Sequence, residues 1–103
     1  MKKQLLVTAS TIILSISSTT VMAASGEALF KQHCAVCHPD GGNIINAKRT
    51  LHKKDLNQQG LKEWKGVVKY MRTPGSGMTA FDAKTISDKD ARVLAEYVLK
   101  TFK

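Results

Sequence analysis

The stretch Cys34-Ala35-Val36-Cys37-His38 holds both cysteines of the 103-residue chain, three positions apart, with a histidine directly after the second. Ser25 is a candidate N-cap upstream, and Glu27 stands in the first turn that would follow it. Pro39 disfavours a helical residue before it. The first helix is therefore expected from about Ser25 to about Cys37. On a helix, residues i and i+3 share a face, and i+4 lies close by. Both sulfurs can then reach one edge of a flat ligand, while the imidazole approaches its centre. C-x-x-C-H is the attachment pattern for c-type haem. In that reading Cys34 and Cys37 form thioethers with the two vinyl groups, and His38 binds the iron from one side.

Three other uses of these residues compete. A redox dithiol also uses C-x-x-C, but it expects a βαβ context that the sequence lacks. A structural zinc site would take Cys34, Cys37, His38 and a fourth ligand such as His52, although the usual zinc patterns space the second ligand pair differently. A disulfide between the two cysteines is the plainest structural use. The haem reading is preferred because the segments before and after the motif suit it.

The segment before it reads as an export signal. Lys2 and Lys3 form a basic start, an uncharged stretch runs from Gln4 to Gly26, and Val21-Met22-Ala23 offers the small side chains that a signal peptidase reads. Residues 1–23 are expected to be removed, with cleavage after Ala23. An uncleaved membrane anchor is the alternative, since the stretch is nearly long enough to span a bilayer. Ser and Thr recur through its second half, which favours cleavage. The remaining domain, 24–103, is small enough that its own core is marginal. A buried cofactor would supply the missing apolar surface.

The segments after the motif alternate helices with punctuated loops. Asp40-Gly41-Gly42-Asn43 is a turn cluster, and Ile44 to Leu56 reads as a loop with a short helix around Lys53 and Lys54. After Gly60, Leu61, Trp64, Val67, Val68 and Met71 recur at spacings of three and four, one apolar helical face. Pro74-Gly75-Ser76-Gly77 ends that helix and opens an irregular loop. Ser87 and Asp90 have capping-box spacing, with Asp in place of the usual Glu. Ala91, Leu94, Ala95, Val98 and Leu99 then mark an apolar stripe, with Tyr97 beside it. The fold class is all-α: three to four helices around one buried group, with long functional loops.

A haem needs a second axial ligand. Beyond the export signal the methionines are Met71 and Met78. Met71 lies on the apolar face of a helix, which suits core packing. Met78 follows a Gly-rich path that can carry its side chain over the haem, and Met/His ligation suits electron transfer. His33 and His52 are the alternatives. His33 is expected to face away from the side His38 occupies, and His52 is expected to be exposed in a basic loop.

These residues resemble the class I cytochromes c, in particular the small monohaem bacterial and algal group that includes the soluble donor to photosystem I. The resemblance covers nearly all of 24–103. Gly26-x-x-x-Phe30 precedes the haem motif, and Gly41-Gly42-Asn43 follows it. Arg49-Thr50-Leu51 is similar to the family's Lys-Thr-Leu stretch. Gly77-Met78-Thr79-Ala80-Phe81 is similar to its ligand loop, and Ala95-Glu96-Tyr97-Val98 to its final helix. The resemblance implies the class I cytochrome c fold, with Met78 as the distal ligand and Phe30 and Tyr97 packing the terminal helices together. It also implies that Arg49, or Lys48 beside it, neutralises a haem propionate. The sequence departs from the family at Thr79, where Pro is usual. Pro would stiffen the loop by fixing φ.

Charge narrows the partners. The chain carries 16 basic and 8 acidic residues. Between Lys48 and Arg72 stand eight basic residues and only two acidic ones, Asp55 and Glu63, while the flanks of 24–103 cancel. Such a run is either a solvated face or a steering surface for an acidic redox partner. The expected protein is a monomeric periplasmic one-electron carrier with one covalent haem c. It is not an enzyme, does not bind nucleic acid, and is not stably inserted in a membrane after cleavage. A haem-based peroxidase or gas sensor with a labile distal Met78 is the alternative.

Overall fold

The computed structural model describes Gln4, residues 8–16 and residues 24–103. Lys2, Lys3 and the expected cleavage site at Val21–Ala23 lie outside the described residues. Residues 8–16 are exposed and carry no regular secondary structure. Four helices follow: α1 (Gly26–His33), α2 (Lys53–Gln58), α3 (Trp64–Arg72) and α4 (Asp88–Thr101), with a short 3-10 turn at Pro39–Gly41 between α1 and α2. No strand occurs among the described residues. Among them, too, no helix is long and apolar enough to cross a membrane.

Two helix starts, those of α1 and α4, follow their caps. Ser25 accepts the Ala28 N–H at 3.1 Å, and Ser87 accepts the Asp90 N–H at 3.2 Å, each satisfying one of the donors a helix start leaves open. Two boundaries differ from expectation. α1 stops at His33, four residues short of Cys37. The Phe30 carbonyl accepts both the Cys34 and the Ala35 N–H, at 2.8 and 2.9 Å, so the regular hydrogen-bond ladder breaks there. α3 begins at Trp64 rather than directly after Gly60. Gly60, at φ 73°, ends α2 in the left-handed conformation. The Leu61 N–H then turns back to the Leu56 carbonyl at 2.8 Å, which leaves residues 61–63 as a connection.

Helix α4 is the spine against which α1 and α3 pack. Ala91, Leu94 and Ala95 on its apolar stripe are fully buried, with Val98, Leu29, Phe30, Val67, Met71, Ile86 and Leu56 completing the core. α1 approaches α4 closely at Gly26, where an added Cβ would lie 2.5 Å from the Tyr97 Cβ. Phe30 then meets Tyr97 and Phe102, with ring centroids 5.7 and 5.0 Å away. On the other flank the Arg92 guanidinium covers the Trp64 ring at 4.4 Å, a cation–π contact between α3 and α4. The helices hold the outer parts of the domain together and leave a cavity between α3, α4 and the two long loops.

Candidate haem-binding site

The cysteine–histidine motif folds as a turn hung from the end of α1. The Cys34 carbonyl accepts the N–H groups of Cys37 and His38, at 3.2 and 2.9 Å. A tight turn thus does what a helix was expected to do and gathers Cys34, Cys37 and His38 at one wall of the cavity. The chain after His38 folds back over the motif. Asp40 and Gly41 adopt positive φ, at 53° and 79°. This reversal brings the Gly42 carbonyl 2.7 Å from His38 Nδ1. A carbonyl can only accept, so Nδ1 carries the proton and Nε2 keeps its lone pair for a metal.

The cavity measures about 740 Å³, within the range of cofactor pockets. Leu51, Leu56, Val67, Met71, Ile86 and Leu94 make its apolar wall. Burial there pushes the Cys34 thiol up to about 11, so the group enters the cavity uncharged. Met78 lines the same cavity from the loop between α3 and α4. Arg49 and Tyr70 also line it. They sit close together, since a Cβ on Gly75 would be 3.0 Å from Tyr70 Oη and 3.9 Å from Arg49 Nη1. Two thiols, an imidazole with a free nitrogen, a thioether, apolar walls and a cationic edge are the donor set that a c-type haem requires. The residues present fit that group.

The other sequence candidates sort clearly. Lys48 and Arg49 are both exposed, and of the two Arg49 lines the cavity. His33 lines the cavity and meets Phe81 edge-on at 5.9 Å. His52 is half-buried, packs edge-on against Phe102 at 6.3 Å, and does not line the cavity with the cysteines. The zinc ligand set therefore does not assemble. Met71 is a core residue, 6% exposed.

Sequence reasoning missed the residues that hold these groups in place. Asn43 accepts the Ile45 and Asn46 N–H groups and donates to the Arg49 carbonyl at 2.8 Å, fixing the loop that carries Arg49. Its place in a turn cluster was the available signal. Asp55 accepts from the Thr50 N–H and hydroxyl, and these hydrogen bonds hold its carboxyl below the usual carboxylate range. Arg72 had no signal beyond its charge. It was counted with the basic run, yet its guanidinium is turned inward onto two carbonyls and Asp88.

Comparison with known proteins adds a consistent set of likenesses. The family described as "Cytochrome C oxidase, cbb3-type, subunit III" matches residues 21–98. Cytochrome c6 of Synechocystis sp. is 36% identical over 89 residues, covering 84% of this chain and 73% of that protein. The outer membrane cytochrome F, OmcF, of Geobacter sulfurreducens superposes with a TM-score of 0.75 at 39% identity, over 77% of this chain and 100% of that one. Cytochrome c6C of Synechococcus sp. superposes with a TM-score of 0.68 at 27% identity, over 73% of this chain and 90% of that one.

Proposed function

We propose that this chain, which belongs to the class I c-type cytochromes of the cytochrome c6 kind, is an exported, diffusible one-electron carrier with a single covalent haem held by Cys34 and Cys37 and ligated by His38 and Met78. One observation carries the reading: both thiols, His38 and Met78 line one apolar cavity, and the His38 ring already has its Nδ1 engaged.

When bound, the haem supplies one-electron chemistry through the ferrous and ferric states of its iron. The residues of the chain set the conditions. Cys34 and Cys37 tether the cofactor, so it stays with the protein in both oxidation states. His38 offers Nε2, and the Gly42 carbonyl fixes the orientation of its ring. Met78 offers a neutral, polarisable sulfur, which raises the potential relative to a second histidine. Leu56, Leu94 and the other apolar walls would keep water from a bound haem's metal. Arg49, which lines the cavity with Tyr70 beside it, is the favoured partner for a propionate over the neighbouring Lys48.

Release from the membrane follows from cleavage after Ala23, which leaves residues 24–103 as a monomer in the periplasm. Lys53, Lys54, Lys65 and Lys69 are exposed and give this domain a positive side for steering toward an acidic redox partner. The test is to export the protein in a host with cytochrome c maturation and record oxidised and reduced absorption spectra. Covalent haem with low-spin bands and a ferric Met–iron charge-transfer band is the expected result. A high-spin spectrum would move the function to ligand binding or catalysis, and absence of covalent haem would overturn the reading.

A further inference from the structure

The loop that carries Met78 is nearly free of internal hydrogen bonds. Across residues 74–80 the single one is Met78 N–H to the Gly75 carbonyl, long at 3.5 Å. Gly75 and Gly77 allow wide backbone freedom, and Gly77 adopts φ 89°. Hydrogen bonds inside the loop therefore do little to fix where Met78 sits. Beyond the packing of its side chain against the core, the order comes from the loop's two ends.

Those ends are tied together at the last turn of α3. The Phe81 N–H donates to the Met71 carbonyl at 2.9 Å. The next residue, Arg72, reaches across and donates from Nη1 to the Phe81 carbonyl at 3.1 Å and to the Ile86 carbonyl at 2.7 Å. Its Nη2 donates to Asp88 Oδ1 at 2.9 Å. Phe81 is thus held through both its backbone groups by two consecutive residues of α3. The segment that Arg72 grips is itself stiff: Asp82 accepts from the Lys84 N–H, the Thr85 N–H and the Thr85 hydroxyl, and Ile86, 1% exposed, plugs the core. The Arg72 side chain is 20% exposed, while Asp88 is 91% exposed. The exposed ion pair contributes little. The charge-assisted hydrogen bonds to the two carbonyls are the strong ones.

We propose that Arg72 is the positioning residue for Met78: its guanidinium pins the downstream foot of the ligand loop to α3, and so sets how often the sulfur leaves the metal. A planar fork with fixed donor directions suits this task. A lysine has a compact charge and no fork, so it can replace part of the grip but cannot bridge three acceptors in the same geometry. The inference rests on Met78 being the distal ligand, and the experiment separates the two ideas.

The experiment uses the haem-loaded protein and its variants Arg72→Ala, Arg72→Lys, Met78→Ala and Arg72→Ala/Met78→Ala. The rate of cyanide binding to the ferric form, at saturating cyanide, reports how fast Met78 moves away. Thermal unfolding of each variant is followed in parallel. Arg72→Ala is expected to raise the saturating rate on the order of tenfold or more, the scale of losing hydrogen bonds from a charged donor. Arg72→Lys should fall between that variant and the parent, and it serves alone should Arg72→Ala not accumulate. With Met78 already removed, Arg72→Ala should change the rate by less than about twofold, because an effect exerted through Met78 vanishes with it, the non-additivity of coupled sites. A lower melting temperature with an unchanged saturating rate would reduce Arg72 to a structural residue and overturn the proposal. So would an equal rise in the Met78→Ala background. Loss of the Met–iron band in Met78→Ala with no rate change in the Arg72 variants leaves the ligand reading standing and sinks only this one. Retention of that band in Met78→Ala removes both.

Discussion

The two sides of the cavity are built on different principles. On the His38 side, local sequence does nearly all the work: the motif closes on the Cys34 carbonyl, Gly42 orients the imidazole, and the Leu51 N–H bonds the Gly41 carbonyl at 2.7 Å to lock the turn. On the Met78 side a Gly-rich loop has one long internal hydrogen bond, and its order is imported from Arg72 and Phe81. His38, one of the two proposed ligands, stands on a short, densely bonded turn, and Met78, the other, hangs from a span hydrogen-bonded chiefly at its ends. This difference suits a carrier that must keep its cofactor permanently while tuning the metal through its second ligand.

The sharpest way to break the comparison is to remove the permanent side. Cys34→Ser combined with Cys37→Ser should abolish covalent haem entirely, seen as the loss of the haem mass increment and of haem staining in denaturing gels. In the proposed reading haem fills the cavity of about 740 Å³, so the chain without it should also lose cooperative thermal unfolding. A folded, melting domain of unchanged stability would show that the helices need no cofactor.

Removing the other side should have a smaller and different effect. Met78→Ala is expected to leave the thioether bonds intact, since Cys34 and Cys37 belong to a separately held turn. It should abolish the Met–iron band, lower the reduction potential, and open the metal to carbon monoxide in the reduced state. Redox titration and the carbon monoxide difference spectrum measure both. An unchanged potential would rule out Met78 as ligand.

The same substitution at two glycines compares the sides directly. Gly41 has φ 79°, and an added Cβ would lie 2.4 Å from Phe102 Cδ1. Gly77 has φ 89°, but its Cβ would meet nothing nearer than the Ile45 Cγ2 at 3.8 Å. Left-handed strain costs about 1–2 kcal/mol, and overpacking adds about 1–3 kcal/mol. Gly41→Ala should therefore destabilise the haem-loaded protein by about 2–5 kcal/mol in urea unfolding, and Gly77→Ala by about 1–2 kcal/mol. Equal losses would mean that the two walls are equally rigid.

How much of this was legible follows the same divide. The His38 side could be read because its chemistry is written in consecutive residues: two cysteines, a histidine, and the Gly-Gly-Asn turn that folds back on them. The helix stripe of α4 and its Ser87 cap were legible because period and capping are local. The exact end of α1 was not, since it depends on the Phe30 carbonyl accepting twice. Lys48 and Arg49 are adjacent and equally charged, and only the fold of the Asn43 loop decides which one meets the cavity. Arg72 looked like part of a basic face because a sequence shows charge but not direction. Its partners lie 9, 14 and 16 residues away, too far for any local pattern.

The smallest expected effect concerns acid. Asp82, at the foot of the Met78 loop, is held below the usual carboxylate range by the Thr85 and Lys84 groups that donate to it. Asp55, behind the cavity-lining Thr50, is lowered in the same sense by its hydrogen bonds from Thr50. For both, the folded value lies below the unfolded value of 3.8. Each carboxylate therefore adds stability that is complete above that value and is lost as pH falls through the lowered one. Asn at either position keeps an acceptor but loses the charge, so each variant should be slightly less stable near neutrality and approach the parent at the lowest pH. The comparison between the two sides lies in where the loss appears. Asp82→Asn should weaken the Met–iron band and make it less sensitive to pH below about 4. Asp55→Asn should leave the band alone and change only the urea midpoint. If both substitutions move the band alike, the Met78 loop is not an independently held span but is coupled to the wall behind it.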